Sequence, residues 1–543
     1  MSEWWRGAVI YQVYPRSFQD SSGDGIGDLK GITQRLDHVA GLGADAIWLS
    51  PIFTSPMKDM GYDVSNYTDV DPLFGTLKDF DALIARAHAL GLKVIIDQVL
   101  SHTSDKHPWF GESRADREND KSDWYVWADP KPDGSPPNNW PSVFGGPAWE
   151  WEPRRRQYYL HNFLIEQPDL NVHNRAVQDA LLKAMRFWLD RGVDGFRLDT
   201  VNFYFHDALL RDNPPNPNNA TDMPADTYGM QDHIHSKNQP DNIGFLKRMR
   251  RLTDEYDGRM MVGEVGDGGQ RAIDIMGEYT RGIDRLHMCY SFEMLGPGFT
   301  AAHFRRTIEG FQAGAPDGWP SWSFSNHDVR RHVSRWDAHA STPNTLAKQV
   351  VAMLMSFEGT IGIYQGEELG LPETELEYSE LTDPPGLRFW PENKGRDGCR
   401  TPMVWEAAQN HGGFSQAQPW LPVKAPQQER AVDVQTGESG SVLQAYRAAI
   451  AFRKSSNALS AGRTEFIDLP EPLLAFHRTG EGQTLTCVFN LSKTPHRLGV
   501  AGAAALTGPH NAVLHGNVLS LGPNGFAYLD AGRSQGVTLE RLA

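Results

Sequence analysis

The chain has 543 residues and a formal net charge of −16, from 52 Lys and Arg against 68 Asp and Glu. With 40% hydrophobic and 22% charged residues, it has the composition of a globular protein that can bury a large core. The acid excess argues against a general nucleic-acid or anionic-membrane surface, and three widely spaced cysteines argue against a disulfide framework or a cysteine-built zinc site.

The first residues, MSEWWRGAVIYQVYPRSF, hold neither a basic leader nor an unbroken apolar stretch. No signal peptide is predicted, no run is long enough to span a membrane, and a cytoplasmic protein is expected. Eight short apolar runs follow in order: AVIYQVYP (8–15), AIWLSPIF (46–53), KVIIDQVL (93–100), GVDGFRLDTV (192–201), RMMVGEV (259–265), LHMCYSF (286–292), SWSFSNHD (321–328) and IGIYQGEE (361–368). Continuous apolar character suits strands buried on both faces. Between them lie helix candidates such as LKDFDALIARAHALGL (77–92), apolar at helical spacing and ended by Gly91. Strand–helix alternation predicts parallel βαβ units, and eight strands predict a closed (β/α)₈ barrel. An open doubly wound sheet would need a Gly-rich phosphate loop after the first strand, which is absent.

Two connections exceed ordinary barrel loops. Residues 103–168, rich in Pro, Trp and Asp, are expected to form an excursion domain after strand three, and 202–243, containing NPPNPNNATDMPAD, an irregular excursion after strand four. The barrel is then 1–102 with 169–460. After the amphipathic stretch 442–459, the short runs of 461–543 separated by Gly, Pro and Asn turns predict a C-terminal antiparallel β-sandwich domain.

Ionisable residues cluster at predicted strand ends: Asp97 and His102, Arg197 and Asp199, Glu264, and His327 with Asp328. Parallel neighbours lie about 4.8 Å apart, so carboxylates ending strands four and five face one cavity at a spacing suited to paired acid chemistry. A capping or surface-pairing role explains any one of them but not all together.

These blocks carry a resemblance. DQVLSH (97–102), GFRLDT (195–200), GEV (263–265) and SNHD (325–328), supported by GYDVSNY (61–67), QPDLN (167–171) and GCRTPM (398–403), resemble the α-amylase family of glycoside hydrolases in its α-glucosidase/oligo-1,6-glucosidase branch. The resemblance implies Asp199 as nucleophile, Glu264 as acid/base and Asp328 as the carboxylate that holds sugar hydroxyls and stabilises the transition state. Arg197 would keep Asp199 ionised, and His102 and His327 would donate to sugar hydroxyls. Asp63 and Arg400 would pair to close the pocket and make the enzyme exo-acting. Tyr62 would stack on the terminal glucose, and Phe144 and Phe163 would wall the pocket.

Asp20, Ser22, Asp24, Ile26 and Asp28 present oxygens at alternating positions around turn-forming glycines, like the start of an EF-hand loop, but Gly31 stands where its terminal Glu belongs. In related α-glucosidases this segment binds a structural Ca²⁺ or Mg²⁺, and these five residues are the expected ligands. Ser101 stands where amylases often carry an Asn that helps bind a different calcium, so no second site is expected. Thr200 follows the nucleophile; in similar enzymes Thr here accompanies α-1,4 preference and Val α-1,6 preference.

The resulting expectation is a retaining exo-α-glucosidase acting on maltose-like substrates, with glucosyl transfer to alcohol or sugar acceptors. Its relatives oligo-1,6-glucosidase, trehalose synthase and sucrose-converting enzymes share the same carboxylates and stand as alternatives. A non-catalytic amylase-like binding subunit is disfavoured by the complete catalytic set. A monomer or small homo-oligomer is expected, with no organic cofactor, nucleic-acid or membrane partner.

Overall fold

A computed structural model describes residues 3–217, 227–532 and 536–542. All eight apolar runs form strands: β1 Val9–Val13, β2 Ala46–Leu49, β3 Lys93–Gln98, β4 Gly195–Leu198, β5 Met260–Val265, β6 Met288–Ser291, β7 Ser321–Ser323 and β8 Thr360–Tyr364. They pair in parallel from β1 through β6, and β7 pairs with β8, which returns to β1. A parallel bridge between Cys289 and Pro320 joins β6 to the start of β7 and closes the barrel. Several strands are shorter than their apolar runs. The SNHD block, expected at the end of a strand, lies in the loop after β7.

The period of two along each strand sorts side chains between two cores. Ile95, Met260, Val262, Met288 and Tyr290 face the barrel interior with Trp48 and Trp5. Val94, Ile96, Phe196, Leu198, Met261 and Cys289 face outward into the layer shared with the helices. The helix predicted over 77–92 spans Leu77–Ala89, with Thr76 and Asp79 forming a reciprocal capping box. Gly91 follows with φ +80°, a left-handed conformation that Gly adopts without a Cβ penalty.

Residues 103–168 contain a small antiparallel sheet, Trp127–Ala128, Gln157–Leu160 and Trp149–Glu152, with its own core around Trp140 and Trp149. The 202–243 excursion packs against it: Trp140 Nε1 donates to the Arg211 carbonyl at 2.9 Å, and Asn139 N to Asp212 Oδ1 at 3.0 Å. Residues 218–226, which include most of the Asn- and Pro-rich run, lie outside the described residues.

The amphipathic stretch 442–459 is two helices, Val442–Ser455 and Asn457–Ser460, because Ser456 leaves the helical conformation and caps the second. Beyond it, a five-stranded and a four-stranded antiparallel sheet share a core. Leu473, Ala475, Val488 and Leu529 face the second sheet, while their neighbours Leu474, Phe476, Phe489 and Tyr528 join the main core beside the barrel helices. The five-stranded sheet is therefore apolar on both faces and seats the C-terminal sheets on the barrel. No helix among the described residues is long and apolar enough to cross a membrane.

Candidate active site

The inward face of the barrel supplies the site. Arg197 and Asp199 are two residues apart on β4 and its end, so both point inward, and register places Arg197 opposite Asp97 and Tyr290 opposite Glu264. Arg197 Nη1 lies 2.6 Å from Asp199 Oδ1 and 2.8 Å from Asp97 Oδ1, while Nη2 pairs with Glu264. The Tyr290 hydroxyl accepts from Arg197 Nε at 3.0 Å and donates to Glu264 Oε1 at 3.0 Å. One buried guanidinium thus holds three carboxylates, leaving a net negative cluster inside the barrel.

That crowding shifts their protonation. Burial pushes Asp199 up to about 7 against the pull of Arg197, and burial likewise pushes Glu264 up to about 7, with the negative charge of Asp199 adding to it. Burial holds Asp97 at about 6 despite Arg197. The Asp199–Glu264 pair can therefore hold a single proton near neutral pH, as a nucleophile beside a general acid requires.

Thr200 touches both partners. Its N–H donates to Glu264 Oε2 at 3.1 Å, its hydroxyl donates to Asp199 Oδ2 at 3.2 Å, and the Ser101 hydroxyl stands 3.2 Å from the Thr200 hydroxyl. Its φ of +39° is a left-handed conformation that a β-branched residue seldom adopts. Gly263 packs closely beside Glu264: a Cβ there would stand 2.6 Å from Leu286 Cδ1 and 3.0 Å from Val201 Cγ1, so those side chains would have to shift.

The far end of the pocket corrects the expected Asp63–Arg400 pair. Asp63 is fully buried and accepts from Ser55 Oγ at 2.9 Å, Lys58 N at 2.9 Å and Asp59 N at 3.0 Å, so its carboxylate ties a loop together instead of facing the cavity. The cavity wall carries Asp59 and Arg396 in its place, and their side chains pair at 2.8 Å. Arg400 serves Asp328: its Nη2 lies 3.0 Å from Asp328 Oδ1 and its Nε donates to the His327 carbonyl at 2.8 Å. Burial would raise the Asp328 carboxyl, but His327, Arg396 and Arg400 pull it well below the usual carboxylate range. DMGYD offers an Asp at each end, and only the folded loop shows which one faces inward.

His327 lies behind the cavity wall. Gln12 Nε2 donates to its Nδ1 at 2.8 Å, which leaves Nε2 as the donor toward the Tyr62 hydroxyl at 2.5 Å and Asp328 at 3.2 Å. The Tyr62 hydroxyl in turn donates to Asp97 at 3.1 Å. The expected stacking ring is thereby fixed, parallel to His327 at 5.3 Å between centroids. His102 does line the cavity, held neutral by burial, which lowers it to about 4; its Nε2 stands 3.1 Å from the Tyr62 carbonyl.

The cavity has a volume of about 790 Å³. Phe144 and Phe163 line it, with ring centroids 5.6 Å apart, and Phe203 continues the aromatic wall 5.5 Å from Phe163. Tyr228, Gln231, His233 and Lys237 of the second excursion line the side beyond Glu264. Asp59, Arg396, Tyr290 and Phe203 escaped sequence reasoning. Tyr290 sits in a strand of the expected period, but its meeting with Glu264 depends on register.

In the 20–28 loop, Asp20 accepts from the N–H groups of Ser22, Gly23 and Gly25 at 2.7–2.8 Å and from Ser415 Oγ at 2.6 Å. Asp28 accepts from Ser21 N at 2.8 Å and Gly31 N at 2.7 Å, capping the helix Leu29–Leu42, and Asp24 accepts from Ile26 N at 2.9 Å. Among the described residues no three His, Cys, Asp or Glu side chains converge to hold a metal ion.

The α-amylase catalytic-domain model matches residues 12–462. A probable α-glucosidase of Rhizobium meliloti (strain 1021) is 61% identical over 495 residues, covering 90% of both chains. An oligo-1,6-glucosidase of Heyndrickxia coagulans is 38% identical over 532 residues, covering 91% of this chain and 93% of its own. The crystal structure of an α-glucosyl transfer enzyme, XgtA, superposes with a TM-score of 0.94 at 52% identity, covering 98% of this chain and all of that one. With the strand-end carboxylates meeting on one buried arginine, these likenesses make the chain a member of the α-amylase family of glycoside hydrolases, in its α-glucosidase/oligo-1,6-glucosidase branch.

Proposed function

We propose that this protein is a retaining exo-α-glucosidase that removes a terminal glucose from short α-1,4-linked, maltose-like substrates and transfers it to water or to a small alcohol or sugar. The observation that carries the reading is the Asp59–Arg396 pair across the far wall of the cavity that Asp199 and Glu264 also line. In this reading a sugar reaching Asp199 would meet that pair at its non-reducing end, where the charged side chains bind the terminal hydroxyls and stop a longer chain.

In the first half-reaction Asp199 attacks the anomeric carbon while Glu264 gives its proton to the departing oxygen, forming a β-glucosyl-enzyme and a free alcohol. Arg197 keeps Asp199 ionised at the moment of attack, and Asp328, held anionic by Arg396 and Arg400, accepts from ring hydroxyls as positive charge develops. Glu264, now a carboxylate, takes a proton from water or an acceptor hydroxyl. That oxygen attacks the anomeric carbon and releases Asp199. A non-catalytic binding subunit would have no use for this paired arrangement.

The α-1,4 preference rests on Thr200, whose hydroxyl lies between Asp199 and Ser101. Initial rates on maltose, isomaltose, sucrose, trehalose and maltotetraose test the reading. Maltose should lead, and Thr200→Val should move the maltose-to-isomaltose ratio toward isomaltose by roughly tenfold, within the reach of one side-chain contact. Equal kcat/KM for maltose and isomaltose in the wild type overturns the preference. The 20–28 loop belongs to the proposal as a structural cation loop, supported by the side-chain oxygens of Asp20, Ser22, Asp24 and Asp28 and the Ile26 carbonyl; a Ca²⁺ or Mg²⁺ ion there would brace the loop and take no part in the chemistry.

A further inference from the structure

Lys237 is 4% exposed, yet nothing in the chemistry of Asp199 and Glu264 uses it. Its Nζ donates to the Gly266 carbonyl at 2.7 Å, stands 3.5 Å from Asp267 Oδ2 and lies 4.9 Å from the Phe203 ring centroid. The next residue, Asn238, donates to Asp267 Oδ2 at 2.7 Å and accepts from Asn202 Nδ2 at 2.7 Å, with φ +63° turning it back toward the barrel. Asn202 Oδ1 closes the ring by accepting from Gly266 N at 2.9 Å.

Asn202 follows Asp199 by three residues and Gly266 follows Glu264 by two. The ring therefore joins the returning end of the 202–243 excursion to the segments that leave both catalytic strands. A second ion pair crosses the same seam between Asp232 and Arg271, but it is part-exposed and screened by solvent. Burying an ammonium is costly unless it is paired and hydrogen-bonded, so the Lys237 contacts hold as a set.

We propose that Lys237 is a positioning residue that latches the excursion onto the loop after β5 and so maintains the acceptor side of the cavity, favouring the hydroxyl of a bound sugar or small alcohol over free water. The inference rests on the glucosyl-transfer reading above. Without the latch, the wall carrying Tyr228, Gln231 and His233 loses its buried charged tie to the barrel, and water reaches the glucosyl-enzyme more easily.

Lys237→Met keeps an unbranched chain against Phe203 while removing the charge and the hydrogen bond to Gly266. The decisive measurement is the ratio of glucosyl-glycerol to glucose, with p-nitrophenyl α-glucoside as donor, so that all glucose comes from the glucosyl-enzyme, and glycerol as acceptor. Both products come from one intermediate, so loss of folded protein or a slower first step cancels. The ratio should fall about tenfold in Lys237→Met, in the range of one well-placed contact, and Lys237→Arg should recover part of it. Asn238→Ala should shift it in the same direction. An unchanged ratio in Lys237→Met overturns the latch alone. Maltose hydrolysis by the wild type with no transfer product at any glycerol concentration removes the transfer reading and the latch with it.

Discussion

Arg197 sets its Nη1 2.6 Å from the Asp199 carboxylate, from two positions earlier in the chain, on the inward face of the barrel. The cation opposes the rise that burial imposes on Asp199. Replacing it with methionine removes that opposition, so Asp199 needs a higher pH to ionise. Arg197→Met should lower kcat/KM by roughly 10²-fold or more and move the acid limb of the pH–rate profile upward. An acid limb at the wild-type position would show that Arg197 does not tune the nucleophile.

In the mechanism proposed above, Glu264, raised to about 7 by burial, would supply the leaving-group proton and set the alkaline limb. Glu264→Gln should slow maltose cleavage by about 10³-fold, within the range of general acid catalysis. α-Glucosyl fluoride, whose leaving group needs no proton, should lose far less in its first step. Equal losses on both donors would argue against the acid role.

Asp59 and Arg396 pair on the cavity wall, which the proposed function makes the terminal-glucose end shared by every donor. Asp59→Ala should therefore lower kcat/KM for maltose and for p-nitrophenyl α-glucoside by similar factors, roughly 10- to 100-fold for a lost charge-assisted contact. Asp63→Ala removes the acceptor for Lys58 N and Asp59 N, and it should lower the melting temperature as well as activity. Steady-state kinetics beside thermal melts separates the two aspartates.

Glu367 is buried beside Glu368, and burial followed by that like charge raises it to about 8. A carboxyl with a raised folded-state pKa contributes most to stability below its unfolded value of about 4.3, and the contribution is lost as pH rises toward 8. Glu367→Gln cannot ionise, so its melting temperature relative to the wild type should improve steadily from pH 5 to pH 8. A constant difference across that window would mean that Glu367 does not titrate there.

Cation addition tests the 20–28 loop. After chelation, Ca²⁺ or Mg²⁺ should raise the melting temperature by a few degrees, as binding to the folded state alone requires, and Asp24→Ala should remove the rise. Melting unaffected by chelator or cation would leave the loop held by its own hydrogen bonds, with Asp20 and Asp28 spent on backbone N–H groups.

The barrel was legible because apolar strands alternating with amphipathic helices have few other ways to bury both strand faces. Asp199 and Glu264 were legible because ordered motifs mark strand ends, and Asp328 by its motif alone, since the fold places it in the loop after β7. The Asp59–Arg396 pair, the Tyr290 bridge to Glu264 and the Lys237 latch were not, since each depends on register or on how a loop returns to the barrel. The sequence by itself determined which strands form, which face of each is buried and which carboxylates reach the barrel mouth, because period and motif are local. Only the tertiary structure decided which of Asp59 and Asp63 faces the cavity and which residues of the second excursion wall it, because those choices are made by contacts between separate segments of the chain.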